Sequence, residues 1–319
     1  MKNISALTLL FSLPFCGFNQ TSVEPAFPTL LKYDKIRDLT MSSSGNEVYI
    51  TIQSPMEEIS VIARISKQKE KWSDPEIVAF SGNYNDLEPF LSPDNLRLYF
   101  VSNRPLNKQD SLPKDFDIWF VERTTLNSVW SEPKNLETPI NTEHNEFYPS
   151  VSKNNNLYFT SDSPGAKGKD DIFYSEWNNN QYSTPVSLND SINTAGYEFN
   201  AFIAPDESFI LFTGYNRSDG FGSGDLYISF KNENKEWTQA KNLGANINSR
   251  SMDYCPFVDF KSQTLYFTSR RSAIKNANTI TSAKRLDEII NQFENGESRI
   301  YKVSVELIMF LFLKIINNT

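Results

Sequence analysis

Four carboxylates stand at one position of a recurring segment: Asp86, Glu146, Glu198 and Asp253. Each opens a short apolar stretch, and an asparagine precedes three of them by five places: Asn141, Asn193 and Asn248. In an earlier, weaker copy Ile36 takes the acid's place, with Asp38 two residues along. Acids that converge on one opening can hold a cation or the basic tail of a partner. They can also cleave a glycosidic bond, if two of them divide the roles of acid and nucleophile. Those roles need unlike environments, and acids that recur by repetition begin alike. The architectural alternative is that each carboxylate accepts backbone N–H bonds from a neighbouring unit and registers the array. The seven residues are therefore candidates for a ring at a channel mouth, with no catalytic residue assigned.

Other chemistry is thinly supplied. His144 is the one histidine, which excludes a centre needing two imidazoles, and it sits in a polar linker. No Gly-x-Ser-x-Gly elbow is present. A second recurring acid (Asp117, Asp171, Asp225) follows Gly-rich loops in two cases. The alternating acids of a calcium loop are missing there, so these read as turn-stabilising residues. No cofactor or metal is expected. Cys255 falls inside a copy, at the place held elsewhere by Glu88, Tyr148 and Asn200, and reads as a small buried thiol.

The elements that must position these residues are repeats. Five copies follow one another at a period of roughly 55 residues, starting near Ile36, Asp86, Glu146, Glu198 and Asp253. The copy at Asp86 predicts an inner strand, a Ser92-Pro93-Asp94-Asn95 turn and an apolar strand over Leu96 to Ser102. A third strand is predicted at Asp117 to Val121, and a fourth at Trp130-Ser131-Glu132-Pro133, an edge that tolerates proline. Four strands per unit, repeated radially, make a β-propeller. A β-sandwich would not require like residues at fixed offsets. The fold class is thus all-β, with five visible blades and a sixth left open from Val23 to Tyr33 plus the C-terminal segment.

The Ser-Pro-Asp turn, the Asp-Ile-Trp strand and the Trp-Ser-x-Pro segment resemble the WD40-like propeller repeats of the TolB type, over roughly Ile36 to Tyr301. That resemblance implies an exported or periplasmic propeller of a kind that often serves as a protein-binding platform. It implies no reaction.

The pattern breaks after Arg270. Residues 272–298 form an excursion in which Thr281 to Phe293 reads as a helix, with Ser282 as N-cap and Leu286, Ile289, Ile290 and Phe293 on one face. It packs against the propeller or serves as a lid or docking element. Beyond it, residues 306–319 make an apolar tail too short to span a bilayer as a helix.

At the other end, residues 1–20 read as an export signal, with Lys2 before the apolar stretch Ala6 to Phe15. Leu13-Pro14-Phe15-Cys16 has the leucine and cysteine of a lipoprotein signal, although Phe15 is large for its place, so a lipid on Cys16 is one alternative. The propeller domain is expected over residues 24–305, periplasmic or associated with the outer membrane, and monomeric. A net charge of −8 argues against nucleic acid, which needs a basic surface. Three functions fit: a binding platform for a protein, peptide or glycan, a carbohydrate-active hydrolase or lyase using channel carboxylates, or an envelope scaffold docking through its tail.

Overall fold

The computed structural model describes residues 22–107, 113–275 and 280–305, and within them the chain forms five antiparallel blades, four of four strands and the first of five, where Lys71–Trp72 also pairs with the third strand. Their inner strands are Ile36–Met41, Asp86–Leu91, Glu146–Val151, Tyr197–Ile203 and Asp253–Asp259. Tight turns carry each into a second strand buried along almost its whole length, such as Arg97–Ser102 and Leu157–Ser161. Both faces of these strands are covered by neighbouring blades, which is why their sequence is continuously apolar and not alternating. The Ser92 to Asn95 turn closes with Asn95 N–H donating to Ser92 O and Asn95 in the left-handed region at φ 61°. The Asn95 carboxamide then accepts from Ser43 N–H at 2.8 Å, tying blade 2 to blade 1.

The ring is closed by pairing the two ends of the described chain. Glu24–Pro25 lies antiparallel to Arg299–Ser304 as the outermost strand of blade 5, with Glu24 opposite Lys302. The segment Val23 to Tyr33, expected to help build a sixth blade, thus supplies the outermost strand of the fifth. The apolar tail, residues 306–319, lies outside the described residues, as do the export signal and Cys16.

The outermost strands correct one expectation. The Trp-Ser-x-Pro segments are not themselves the fourth strands, which begin just after them at Glu76–Ile77, Lys134–Asn135, Val186–Ser187 and Lys241–Asn242. The aromatic residue instead fills the gap that opens between blades as they diverge from the axis. Trp130 donates from Nε1 to the Tyr49 hydroxyl at 2.9 Å, and the Arg123 guanidinium lies over its ring. Trp237 meets Tyr158 edge to face, and Tyr182 reaches Tyr99. Such a wedge buries a large apolar body while keeping a polar tip satisfied.

The excursion contains a helix, Ala283–Ile290, whose N-cap Ser282 accepts from Arg285 N–H. Its apolar face is divided. Phe293, just past the helix, packs on Tyr301 with ring centres 5.5 Å apart, and Ile289 is half-buried, whereas Leu286 and Ile290 are exposed.

Candidate functional site

The four recurrent acids are buried and held inside the joints between blades. Glu198 accepts from Thr194 N–H at 2.7 Å and the Thr194 hydroxyl at 2.8 Å, and pairs with Arg217 at 2.8 Å. Asp86 accepts from Ser81 Oγ and pairs with Arg104 at 2.6 Å. Asp253 accepts from Ser249 N–H and pairs with Arg271 at 3.0 Å. The preceding asparagines grip the blade behind: Asn141 accepts from Ile118 N–H and donates to Ile118 O, both at 2.9 Å. Asn193 does the same to Ile172, and Asn248 to Leu226. Each of these three linkers is thereby stapled to the blade before it by an amide and to the blade after it by a carboxylate, and before Asp86 the Ser81 hydroxyl takes the amide's place by accepting from Ile62 N–H. Ile36 has no side chain for this role, and its backbone N–H goes to Ser298 O.

One acid departs from the others. Glu146 accepts from Thr142 N–H and Oγ1, but Ser163 follows its second strand where the other three blades carry an arginine. Burial, with lesser contributions from Asp117 and Asp115, pushes its carboxyl up to about 7. The other recurrent acids, Asp171 and Asp225, each fold a glycine-containing loop over themselves, Asp171 accepting from Lys167 and Gly168 N–H and Asp225 from Phe221 and Gly222 N–H. Asp117 instead accepts both bonds from Lys114 Nζ. His144 lies in its linker with its backbone N–H on Thr142 Oγ1.

The axis belongs to a different set. Two residues into each inner strand the ladder bulges, and Asp38, Glu88, Tyr148, Asn200 and Cys255 adopt φ between 47° and 56°. L-residues seldom take this conformation; here it re-aims each strand at the bulge. All five are buried. Arg37 ties them together, donating from Nε to Asp38 at 2.9 Å and from Nη2 to Glu88 at 2.7 Å. Cys255 Sγ donates to Asp38 at 2.8 Å, and Glu88 accepts from Tyr148 N–H at 2.7 Å. The Asn200 amide donates to Glu88 at 3.4 Å, while its Oδ1 has no partner among the described residues. Burial outweighs Arg37 and raises the Glu88 carboxyl, and burial with Asp38 raises the Cys255 thiol, which stays protonated. Two residues further on, Phe90 and Phe202 touch from the non-adjacent blades 2 and 4, and Phe202 meets Phe257 of blade 5. Aromatic rings therefore fill the axis beyond the polar knot.

These five positions align in the repeats, and four of them are visible as the series Glu88, Tyr148, Asn200 and Cys255. What conceals them as a group is that each is a different residue type.

The open concavity lies elsewhere. A groove of about 1090 Å3 runs between blades 1 and 2. Its walls include Phe80, Trp119, Trp130 and the buried Tyr49, and its rim carries the exposed Ile77, Leu106, Leu126 and Val129. Its charges are internally matched: Arg123 pairs with Glu47 at 2.9 Å, and Arg64 bonds Glu76 at 3.4 Å. The buried Trp119 Nε1 has no acceptor among the described residues. Such a groove suits an extended, nearly neutral ligand with an apolar face.

No family model matches the chain, and no curated protein matches it. Similar folds do occur among solved structures. A glycoside hydrolase superposes with a TM-score of 0.55 at 9% identity, over 89% of this chain and 90% of that one. The catalytic domain of the GH62 α-L-arabinofuranosidase of Coprinopsis cinerea gives 0.53 at 8% identity, over 89% and 96%. TolB of Acinetobacter baumannii gives 0.48 at 13% identity, over 85% of this chain, which spans 55% of that protein's length. At these identities the likeness is one of fold. Among the described residues no helix is long and apolar enough to cross a membrane.

Proposed function

We propose that this chain is an exported β-propeller of the WD40-like, TolB-type repeat family that binds a peptide, protein or glycan in the bacterial envelope. On this reading residues 1–20 direct export, residues 24–305 are the binding domain, and the groove between blades 1 and 2 receives the ligand. The observation that carries it is that groove, with its aromatic walls, exposed apolar rim and matched charges. The seven residues Asp86, Glu146, Glu198, Asp253, Asn141, Asn193 and Asn248 then hold the blades in register and so set the groove's shape. The test is capture of proteins and glycans from envelope extract by the unmodified chain and by Leu106→Asp and Leu126→Asp variants. Both leucines are exposed, so the fold is kept. A ligand retained by the unmodified chain and lost by both variants supports the reading; equal retention refutes it.

A second reading, hydrolysis at the axis, draws on one observation: Glu88 is a carboxyl raised by burial and set beside Asp38. Two such acids in unlike surroundings are what glycoside cleavage requires, and propellers of similar fold include glycoside hydrolases. Against it, Arg37, Tyr148 and Asn200 already occupy the Glu88 oxygens. Turnover of aryl glycosides that disappears in Glu88→Gln would establish this second reading and displace the first.

A further inference from the structure

The joint between blades 1 and 2 departs from the repeat in three ways. Just past the outermost strands, Val78, Leu136, Leu188 and Leu243 donate their backbone N–H to Ile62, Ile118, Ile172 and Leu226, so the four hold one position. Glu146, Glu198 and Asp253 each lie ten positions beyond theirs, whereas Asp86 lies only eight beyond Val78. The linker carbonyl that accepts from the blade's arginine belongs to Ile192 and Ile247 before blades 4 and 5, but to Phe80 before blade 2. Those isoleucines are fully buried, whereas Phe80 is half-buried and lines the groove. The third change is in the loop that follows the third strand. In blades 1, 3 and 4 it is polar (Lys69-Glu70, Asn179-Asn180 and Asn232 to Lys235). In blade 2 it carries Leu126 and then Val129, which is 89% exposed, and both line the groove.

We propose that the occupant of this groove is an extended, uncharged peptide with apolar side chains at alternate positions, which adds as a strand to the outer edge of blade 1. The inference rests on the groove being the binding site, as proposed above, and names what enters it. The edge supplies backbone partners. Glu76 stands opposite Arg64 and Ile77 opposite Ala63, while Val78 N–H donates to Ile62 O. Bonded and non-bonded pairs alternate along an antiparallel ladder, so Ile77 turns its N–H and C=O away from the third strand. An added strand meets those groups and presents every second side chain to one side. Ile77, Leu126 and Val129 are exposed there and offer it aliphatic surface. Charge complementarity points the same way. Arg123 pairs with Glu47, and Arg64 with Glu47 and Glu76, so a charged ligand would lose water without gaining a counter-ion. A glycan fits less well, because its hydroxyls need polar partners that an aliphatic rim withholds. Ring faces for a sugar to stack on are mostly taken, since Tyr49 and Trp119 are buried and Arg123 lies over Trp130.

Fluorescence polarisation of the full chain with labelled acetyl-Ser-X-Thr-X-Ser-amide peptides, X being Val, Ile, Leu or Phe, tests it. Members of this set should bind saturably, and Lys or Glu at both X positions should abolish binding. Methylating one backbone nitrogen at a time should weaken the best binder roughly 2- to 10-fold at alternate residues only, one hydrogen bond being lost at each. Leu126→Asp and Val129→Asp should each weaken it roughly tenfold, through the apolar surface no longer covered. Their thermal melts should match that of the unmodified chain, since both side chains are exposed. No saturable binding by any of these peptides overturns the proposal and leaves the groove to the capture experiment. Binding of cellopentaose or chitopentaose that Leu126→Asp removes keeps the groove as the site and replaces the peptide by a glycan. Peptide binding that both variants retain in full overturns the proposal and the groove together. A dimer that Leu126→Asp separates in sedimentation puts a second copy in the groove and also overturns the proposal.

Discussion

Glu146→Gln and Glu198→Gln make the same change at the same position of adjoining blades, and they should act in opposite directions at pH 8. Glu146 is buried without an arginine, and its carboxyl is pushed from about 4.5 up to about 7. Below pH 4.5 the carboxyl is protonated both folded and unfolded, and the fold enjoys the full benefit of a neutral group in that joint. As the pH rises, the unfolded chain gives up this proton first, so stability falls and the benefit is gone above about pH 7. At about 1.4 kcal/mol per tenfold change, the loss amounts to about 3 kcal/mol. Glutamine stays neutral, and its amide can accept from Thr142 N–H and donate to Thr142 Oγ1. Glu146→Gln should therefore match the unmodified chain at pH 4 and exceed it at pH 8 by up to about 3 kcal/mol. Glu198→Gln removes the anion from Arg217, whose side chain is 12% exposed, and an uncompensated buried charge costs about 3 to 5 kcal/mol. Urea unfolding at pH 4, 6 and 8 reads both effects without the ionic screening that guanidinium would add. The reasoning fails if Glu146→Gln loses stability with pH in parallel with the unmodified chain, or if Glu198→Gln equals Glu146→Gln at pH 8.

Arg37→Met should destabilise the fold by about 3 kcal/mol or more at pH 8, because it leaves Asp38 and Glu88 buried without a cation; urea midpoints at pH 8 and pH 5 should show the smaller loss at pH 5, where Glu88 is protonated. Trp130→Ala should cost about 2 kcal/mol, below the roughly 3 to 5 kcal/mol of a fully buried aromatic because this wedge is only part-buried, and the thermal melt checks it. Cys255 should resist thiol reagents in the folded protein and react once urea unfolds it, followed by mass spectrometry of its peptide, since the thiol is buried and raised.

Much of this fold is legible in the sequence because each blade repeats the same physical solution. The continuous apolar second strands, the Pro-Asp-Asn turn and the Ser282 cap each have a local cause, and each appears where the residues place it. The Trp-Ser-x-Pro segments mislead by a few residues: a tryptophan buried between blades has the same apolar signature as a strand residue. The site is harder to read for a reason that repetition creates. Asp38, Glu88, Tyr148, Asn200 and Cys255 share a backbone conformation and no side-chain chemistry, so likeness between copies points to the staples and away from the axis. The substitution of Ser163 for an arginine is a similar silent difference, and it decides how Glu146 titrates. The groove has no local signature at all, since Tyr49 and Trp130 come from different blades and meet only when the ring is closed.

That closure couples parts of the chain made at very different times. Arg299 binds the Tyr33 carbonyl across 266 positions of sequence, and Glu24 waits for Lys302 before blade 5 has an outer edge. A chain emerging from the ribosome can assemble blades 1 to 4 in order, but the early strand stays unpaired until residue 304 is available. Until that pairing forms, the ring cannot lock and the first and last blades are free to part. The same joint makes closure of the ring the last cooperative event of folding, with Glu24–Pro25 acting as its latch.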